Sequence, residues 1–155
     1  MEQLLKILKE KGLSLGSIES MTGGLFASLI TSVPGASKVY KGSLVTYQIE
    51  EKIRLANVDK NVIDEFGVVS EEVAIEMAEK GRLALNVDLA ISVTGNAGPS
   101  VESDNKPVGR VYIAISSKEV TSTYEFNFKG DRNTIRNLCI AEMTNCLKLF
   151  VSETN

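Results

Sequence analysis

The residues best suited to chemistry in this chain of 155 amino acids fall into three short clusters and one pair of arginines, and none includes a histidine, because the sequence has none. Without imidazole, Ser-His-Asp and Cys-His catalysis are excluded, and so is a histidine-bound metal. Acid/base work near neutrality then falls to a perturbed lysine, carboxylate or tyrosine. The first cluster is Glu19-Ser20-Met21-Thr22-Gly23-Gly24. At a helix start such a run offers unpaired N–H groups and the positive end of the helix dipole, which suit an oxyanion or a phosphate. A plain capped helix start, with Thr22 or Ser20 as the cap, accounts for the same residues. The second cluster runs from Gly42 to Lys52 and places Tyr47 on a strand and Lys52 one turn into the next helix. A lysine acts as general base only where desolvation or a nearby cation lowers its pKa from about 10.4 towards 7–8. A solvated lysine paired with Glu50 or Glu51 is the alternative.

The third cluster, Thr94-Gly95-Asn96-Ala97-Gly98-Pro99, follows the most hydrophobic segment. Successive backbone amides in such a loop form an anion-binding nest, unless the run is a simple Gly/Pro turn. Arg132 and Arg136 stand four apart on one helix face, able to clamp a phosphate or carboxylate together or to lie exposed as an ordinary pair.

The elements that must position these clusters are legible from periodicity. Residues 2–11 read as a helix on Leu4, Leu5, Ile7 and Leu8, stopped by Gly12. A short strand over 13–19 leads into the Ser20–Gly24 junction. The helix after it has Leu25, Leu29 and Ile30 on its inner face and ends before Pro34-Gly35. A strand is expected over 39–48, a short helix over 50–56 and a helical turn near 62–66. Ser70 is a good N-cap for a helix reaching about Leu85, with Val73, Met77 and Ala84 on one face. The apolar run 88–94 reads as a strand covered on both sides, and 95–107 as a polar loop. Strands over 108–116 and 120–128 form a hairpin, and a final helix after Gly130-Asp131 carries Ile135, Leu138, Cys139 and Phe150 on one stripe. The order predicts an α/β fold: a single three-layer domain over 1–155, its mixed β-sheet flanked by helices on both faces.

Composition narrows the partners. The net charge of −3 and the absence of any lysine- or arginine-rich run argue against nucleic acid. No apolar stretch approaches the ~20 residues of a membrane span, and residues 1–11 are amphipathic and charged, unlike a signal peptide. No membrane partner and a cytoplasmic location are expected. Cys139 and Cys146, seven apart, fit neither a helix-internal disulfide nor a zinc motif and read as small core residues. Asp88, Asp104 and Asp131 read as structural or solvated.

Taken together, the clusters resemble the CinA C-terminal domain family. Glu19-Ser20-Met21-Thr22-Gly23-Gly24 is similar to that family's E-S-C-T-G-G run, and Val33-Pro34-Gly35-Ala36-Ser37 to the segment that follows it. Tyr47 and Lys52 stand at the family's spacing, and Gly67–Ala74 matches its G-(A/V)-V-S-E-E-V-A segment. Thr94–Pro99 with Lys106-Pro107-Val108-Gly109, and Gly130-Asp131-Arg132 with Arg136, complete the collinear match. Departures are Met21 for a cysteine, Asn96 for a common isoleucine, Gln48-Ile49 for Ser-Asn, and Ser100-Val101 for further glycines. Larger members carry an additional amino-terminal domain that this sequence does not show.

The resemblance implies a nicotinamide-nucleotide amidase that converts nicotinamide mononucleotide and water into nicotinate mononucleotide and ammonia. On it, Ser20 is the nucleophile, Lys52 the base, and Tyr47 an aid to proton transfer or to the placing of Lys52. Thr22, Gly23, Gly24, Thr94, Gly95, Asn96, Arg132 and Arg136 form the implied substrate-binding set. The first five include the oxyanion donors, and the arginines meet the 5′-phosphate. It implies no metal and no cofactor, a small nucleotide as substrate, and a homo-oligomer. An amidase for another small amide and a non-catalytic nucleotide-binding module are the rival readings.

Overall fold

A computed structural model describes residues 1–101 and 106–153. Its elements are α1 (Glu2–Lys11), β1 (Leu15–Glu19), α2 (Leu25–Thr31), β2 (Tyr40–Val45), α3 (Ile49–Ala56), α4 (Lys60–Phe66), α5 (Glu71–Leu85), β3 (Leu89–Gly95), β4 (Arg110–Ser116), β5 (Thr121–Asn127) and α6 (Arg132–Glu153). This is the expected order, with a 3-10 turn over Ala36–Lys38 added before β2. The five-stranded sheet has the order β2-β1-β3-β4-β5, parallel among β2, β1 and β3 and antiparallel from β3 onward. The chain leaves β1 for β2 on one side and returns through three helices to β3 on the other. The carboxyl ends of β1 and β3 therefore meet at a topological switch point, the usual place for a ligand in an open α/β sheet.

Alternation along the strands sorts the sheet into two unlike faces. Ile91 and Val93 of β3 and Ile113 and Ile115 of β4 meet α1, α2 and α6 in one large core. The opposite face carries Ala90, Ser92 and Ala114, small residues that let α5 lie close. Ser92 donates its hydroxyl to the Ala74 carbonyl of α5 at 2.6 Å. At Gly81 of α5 any Cβ would run into the side chain of Ile18, so the closest approach of helix and sheet depends on glycine there.

Local signals explain most boundaries. Gly12 closes α1 in the left-handed region at φ 67° and ψ 25°. The Ser70 hydroxyl accepts from the Val73 amide, as expected of an N-cap. Asp131 receives the Thr134 amide at 2.8 Å, and Asp88 receives both the amide and the hydroxyl of Ser14, so both are structural. Asp104 and the middle of the 95–107 loop lie outside the described residues. Cys139 and Cys146 are buried free thiols of α6. Burial, with the charge of Glu19 adding to it, pushes the Cys139 thiol far up, and burial raises Cys146 to about 12.

The structure corrects several assignments. β1 begins at Leu15 and β2 ends at Val45, so Tyr47 lies beyond the strand. In α2 the buried residues are Phe26 and Ile30, while Leu29 is exposed and Leu25 only half-buried. In a helix of seven residues two registers are almost equivalent by pattern, and the larger ring takes the core. Ala84 and Leu138 face outward for a related reason. α5 turns Ala74, Ala78 and Gly81 to the sheet, and α6 buries Ile135, Cys139, Met143 and Cys146. Among the described residues no helix is long and apolar enough to cross a membrane.

Candidate active site

Ser20 directly follows β1, and its amide donates to the Val93 carbonyl at 3.2 Å, extending the β1–β3 ladder by one residue. Lys52, in α3, is 2 % exposed, which excludes the solvated lysine considered above. Its Nζ lies 2.8 Å from Ser20 Oγ and donates to the Thr46 carbonyl at 2.9 Å. Thr46 in turn donates its amide to the Glu19 carbonyl at 2.8 Å. A ring therefore closes from Ser20 through the peptide of Glu19 to Thr46, on to Lys52 and back to Ser20. The Ser20 hydroxyl and the Lys52 amine are thus tied to the ends of the two adjacent strands β1 and β2.

The turn carrying Ser20 is organised by a residue whose importance the motif reading passed over. The Glu19 carboxylate is fully buried and receives the Thr22 hydroxyl and the amides of Gly24, Phe26 and Ala27, at 2.7–3.1 Å. The hydroxyls of Ser17 and Ser43, cross-strand partners on β1 and β2, add longer bonds at 3.3 and 3.4 Å. Six donors thus converge on one anion. Glu19 does the work expected of an N-cap at α2, where Gly24 occupies the cap position with φ 93° and neither Ser20 nor Thr22 caps the helix. The available signal was a glutamate flanked by hydroxyl residues and followed by Gly-Gly. Tyr40 shares a 2.6 Å hydrogen bond with Ser17 at the edge of this network. Burial raises its phenol above the ordinary range; the bond to Ser17 opposes the rise, and the charge of Glu19 adds to it.

The expected binding residues divide by what their side chains do. Thr22 is fully buried and gives its hydroxyl to Glu19, while Thr94 gives its own to the Val68 carbonyl at 2.8 Å. The Asn96 side chain accepts from the Gly98 amide and donates to the Lys106 carbonyl, so it shapes the loop. Arg136 donates to the Thr22 carbonyl at 2.8 Å and lines no part of the cleft described below. Arg132 donates to the Gly98 carbonyl at 2.6 Å and to the Tyr47 hydroxyl at 2.8 Å. The arginines thus brace two different loops. At Gly95 an added Cβ would lie 2.6 Å from Met21 Sδ, 2.8 Å from Val111 Cγ2 and 2.9 Å from the Arg110 carbonyl, so the paired strand as well as Met21 requires glycine there.

Ser20 opens onto a cleft with two lobes. The larger, of about 480 Å³, is lined by Ser20, Tyr47, Ile49, Glu50, Lys52 and Val69, with Thr94 and Gly95 closing one side. The smaller, of about 90 Å³, is lined by Met21, Asn96, Gly98 and Arg132 and shares Ser20, Tyr47 and Gly95 with the first. A buried amine in hydrogen-bond reach of a hydroxyl, on the wall of a cleft, is an arrangement suited to nucleophilic catalysis. Among the described residues no group of three or more acidic or thiol side chains is placed to hold a metal ion.

Comparison with known proteins agrees with this fold. The profile of the family described as the CinA C-terminal domain matches residues 1–151. A putative competence-damage inducible protein of Caldanaerobacter subterraneus subsp. tengcongensis is 45% identical over 135 residues, 87% of this chain and 33% of that protein. One from Halothermothrix orenii is 43% identical over 136 residues, with the same shares. The chain spans about one third of the length of the curated relatives it matches. The crystal structure of a CinA superfamily protein from Escherichia coli aligns with a TM-score of 0.90 at 30% identity, covering 95% of this chain and 85% of that one. Another from Klebsiella pneumoniae reaches 0.95 at 24% identity over 97% and 94% of the two chains, a likeness of fold.

Proposed function

The chain belongs to the CinA C-terminal domain family, and from that premise we propose that it is an amidase that hydrolyses nicotinamide mononucleotide to nicotinate mononucleotide and ammonia. In this reading residues 1–155 form one amidase domain of a cytoplasmic homo-oligomer. The observation that carries the chemistry is the 2.8 Å approach of the buried Lys52 amine to Ser20 Oγ. Burial disfavours the charged form of an amine, so the site favours a lysine able to accept a proton.

Unprotonated Lys52 takes the Ser20 proton as Oγ attacks the amide carbon, forming a tetrahedral oxyanion. The C–N bond then breaks, and the proton held by Lys52 leaves with the amine as ammonia. Water adds to the resulting ester, passes a proton to Lys52 and releases the acid, and the proton returns to Ser20. In the turn after the nucleophile, Gly23 donates its amide to the Ser20 carbonyl and Gly24 donates to Glu19. The Met21 and Thr22 amides donate to no atom among the described residues, and in this reading they are the amides of the turn left to receive the oxyanion. Loss of one such donor costs about 10²–10³ in rate. Arg132 borders the smaller lobe and is the arginine this reading assigns to the phosphate, and Tyr47 stands on the wall common to both lobes.

The test is ammonia release from nicotinamide mononucleotide by the purified protein, beside Ser20→Ala and Lys52→Ala. Each substitution is expected to lower kcat on the order of 10⁴-fold or more. The rate of the unmodified enzyme should rise with pH as Lys52 loses its proton. Turnover surviving both substitutions, or a flat profile from about pH 5 to 9, removes the mechanism. Ammonia from related amides but not from this nucleotide would reassign the substrate.

A further inference from the structure

We propose that Glu50 makes the larger lobe a reader of ring charge, favouring an amide carried on a cationic aromatic ring, a pyridinium, over the same amide on a neutral ring. The inference rests on the amidase reading of the site and adds to it a residue that selects the substrate. The lobe is built for a flat group: Ile49, Val68 and Val69 supply apolar wall, and Tyr47 supplies an aromatic one. Its two charged residues by type are Lys52 and Glu50, and they differ sharply in setting. Lys52 is buried with its nitrogen turned to Ser20 and the Thr46 carbonyl, and attack on an amide requires it to be neutral. Glu50 is exposed at the start of α3 and makes no hydrogen bond or ion pair among the described residues.

The neighbouring acid shows that this is a matter of position. Glu51 is tied to Arg54 at 2.6 Å and lines neither lobe. Both acids suit the positive end of α3, so the helix dipole accounts for either. Only Glu50 combines that place with a wall of the lobe. When the base is neutral, the charged side chain lining the larger lobe itself is negative, while Arg132 lines the smaller lobe and reaches the shared wall at the Tyr47 hydroxyl. A cationic ring entering the larger lobe gains from the Glu50 charge and from a cation–π contact with Tyr47, and a neutral ring keeps only the packing against Tyr47.

The experiment compares nicotinamide mononucleotide with its reduced dihydropyridine form, which keeps the amide, the ribose and the phosphate and loses the ring charge. Ser20→Ala protein binds without turnover, so Kd is read by calorimetry with and without Glu50→Gln. Glu50→Gln is expected to weaken the cationic ligand about fivefold to tenfold and the neutral one less than about twofold. The selective loss should shrink at high salt. Equal weakening of both ligands, no weakening of either, or no binding of either overturns the proposal. Failure of the amidase reading shows separately, as absence of ammonia with the unmodified enzyme, and leaves the binding comparison standing.

Discussion

The floor of the cleft, with the buried layer beneath it, and the lip are held in opposite ways. In the buried layer Glu19 is covered by six donors, and on the floor Lys52 is buried between a hydroxyl and a carbonyl. On the lip, just before Lys52 in the chain, Tyr47 is 57 % exposed with only its hydroxyl held, by Arg132, while Ile49 is 39 % exposed and Glu50 has no partner among the described residues. A buried polar group without partners is costly, so the floor is wired to one geometry. Groups left in solvent keep their hydration until a ligand replaces it, so the lip is free to discriminate. In the amidase reading, reactivity and selection are thereby separated along one short stretch of chain.

Substitutions break this comparison in graded steps. The largest effects belong to Ser20→Ala and Lys52→Ala, as set out above. Glu19→Gln comes next: the amide nitrogen meets donors where an oxygen stood. We expect kcat to fall about 10²-fold and Tm by roughly 5–10 °C. Steady-state kinetics and thermal melting check it, and a variant with wild-type kcat shows that the anion is not needed to hold the turn. Gly95→Ala follows, because the new methyl group meets Met21, Val111 and the Arg110 carbonyl of the paired strand. Overpacking of about 1–3 kcal/mol corresponds to a Tm loss of roughly 2–10 °C, with kcat reduced about tenfold. Glu50→Gln on the lip then changes selectivity, with a smaller effect than any floor variant.

Asp88→Asn, at the far end of the sheet, should leave kcat unchanged and lower Tm at pH 7 by roughly 2 °C. The hydrogen bonds from the Ser14 side chain and amide lower the Asp88 carboxyl below its ordinary value. A depressed folded value contributes stability above the unfolded pKa and loses it as pH falls through the folded one. The gap between the two melting curves should therefore close on acidification, and a constant gap contradicts the assignment.

How far the sequence revealed the site depended on whether the deciding force was local. Gly12, Ser70 and the apolar run of β3 announce themselves because caps, left-handed turns and buried strands are set by near neighbours. The clustering of Ser20, Tyr47 and Lys52 on one cleft was also legible, since strand ends gather at the switch point. Which residues of α2 turn inward was legible only in part: Ile30 is buried and Leu25 packs against the core as expected, but Phe26 rather than Leu29 fills the core through packing against distant segments. Glu19 was hidden for the same reason. A glutamate at a strand end ordinarily faces water, and only the arrival of Ser43 and the start of α2 makes its burial tolerable. Arg136 shows the reverse case, where spacing suggested a ligand clamp and the fold used the side chain as a brace.

The hydrogen-bonded ring through Glu19, Ser20, Thr46 and Lys52 draws nothing from residues 96–101 or from α6. Those segments nevertheless border the smaller lobe. In the amidase reading the reacting pair and the smaller lobe are therefore held by largely different contacts, joined where Arg136 meets the Thr22 carbonyl and Arg132 meets Tyr47. Grafting a different 96–101 sequence onto this framework changes what is admitted while the bond-making machinery stays in register, a division of labour that makes the domain a natural chassis for retargeting.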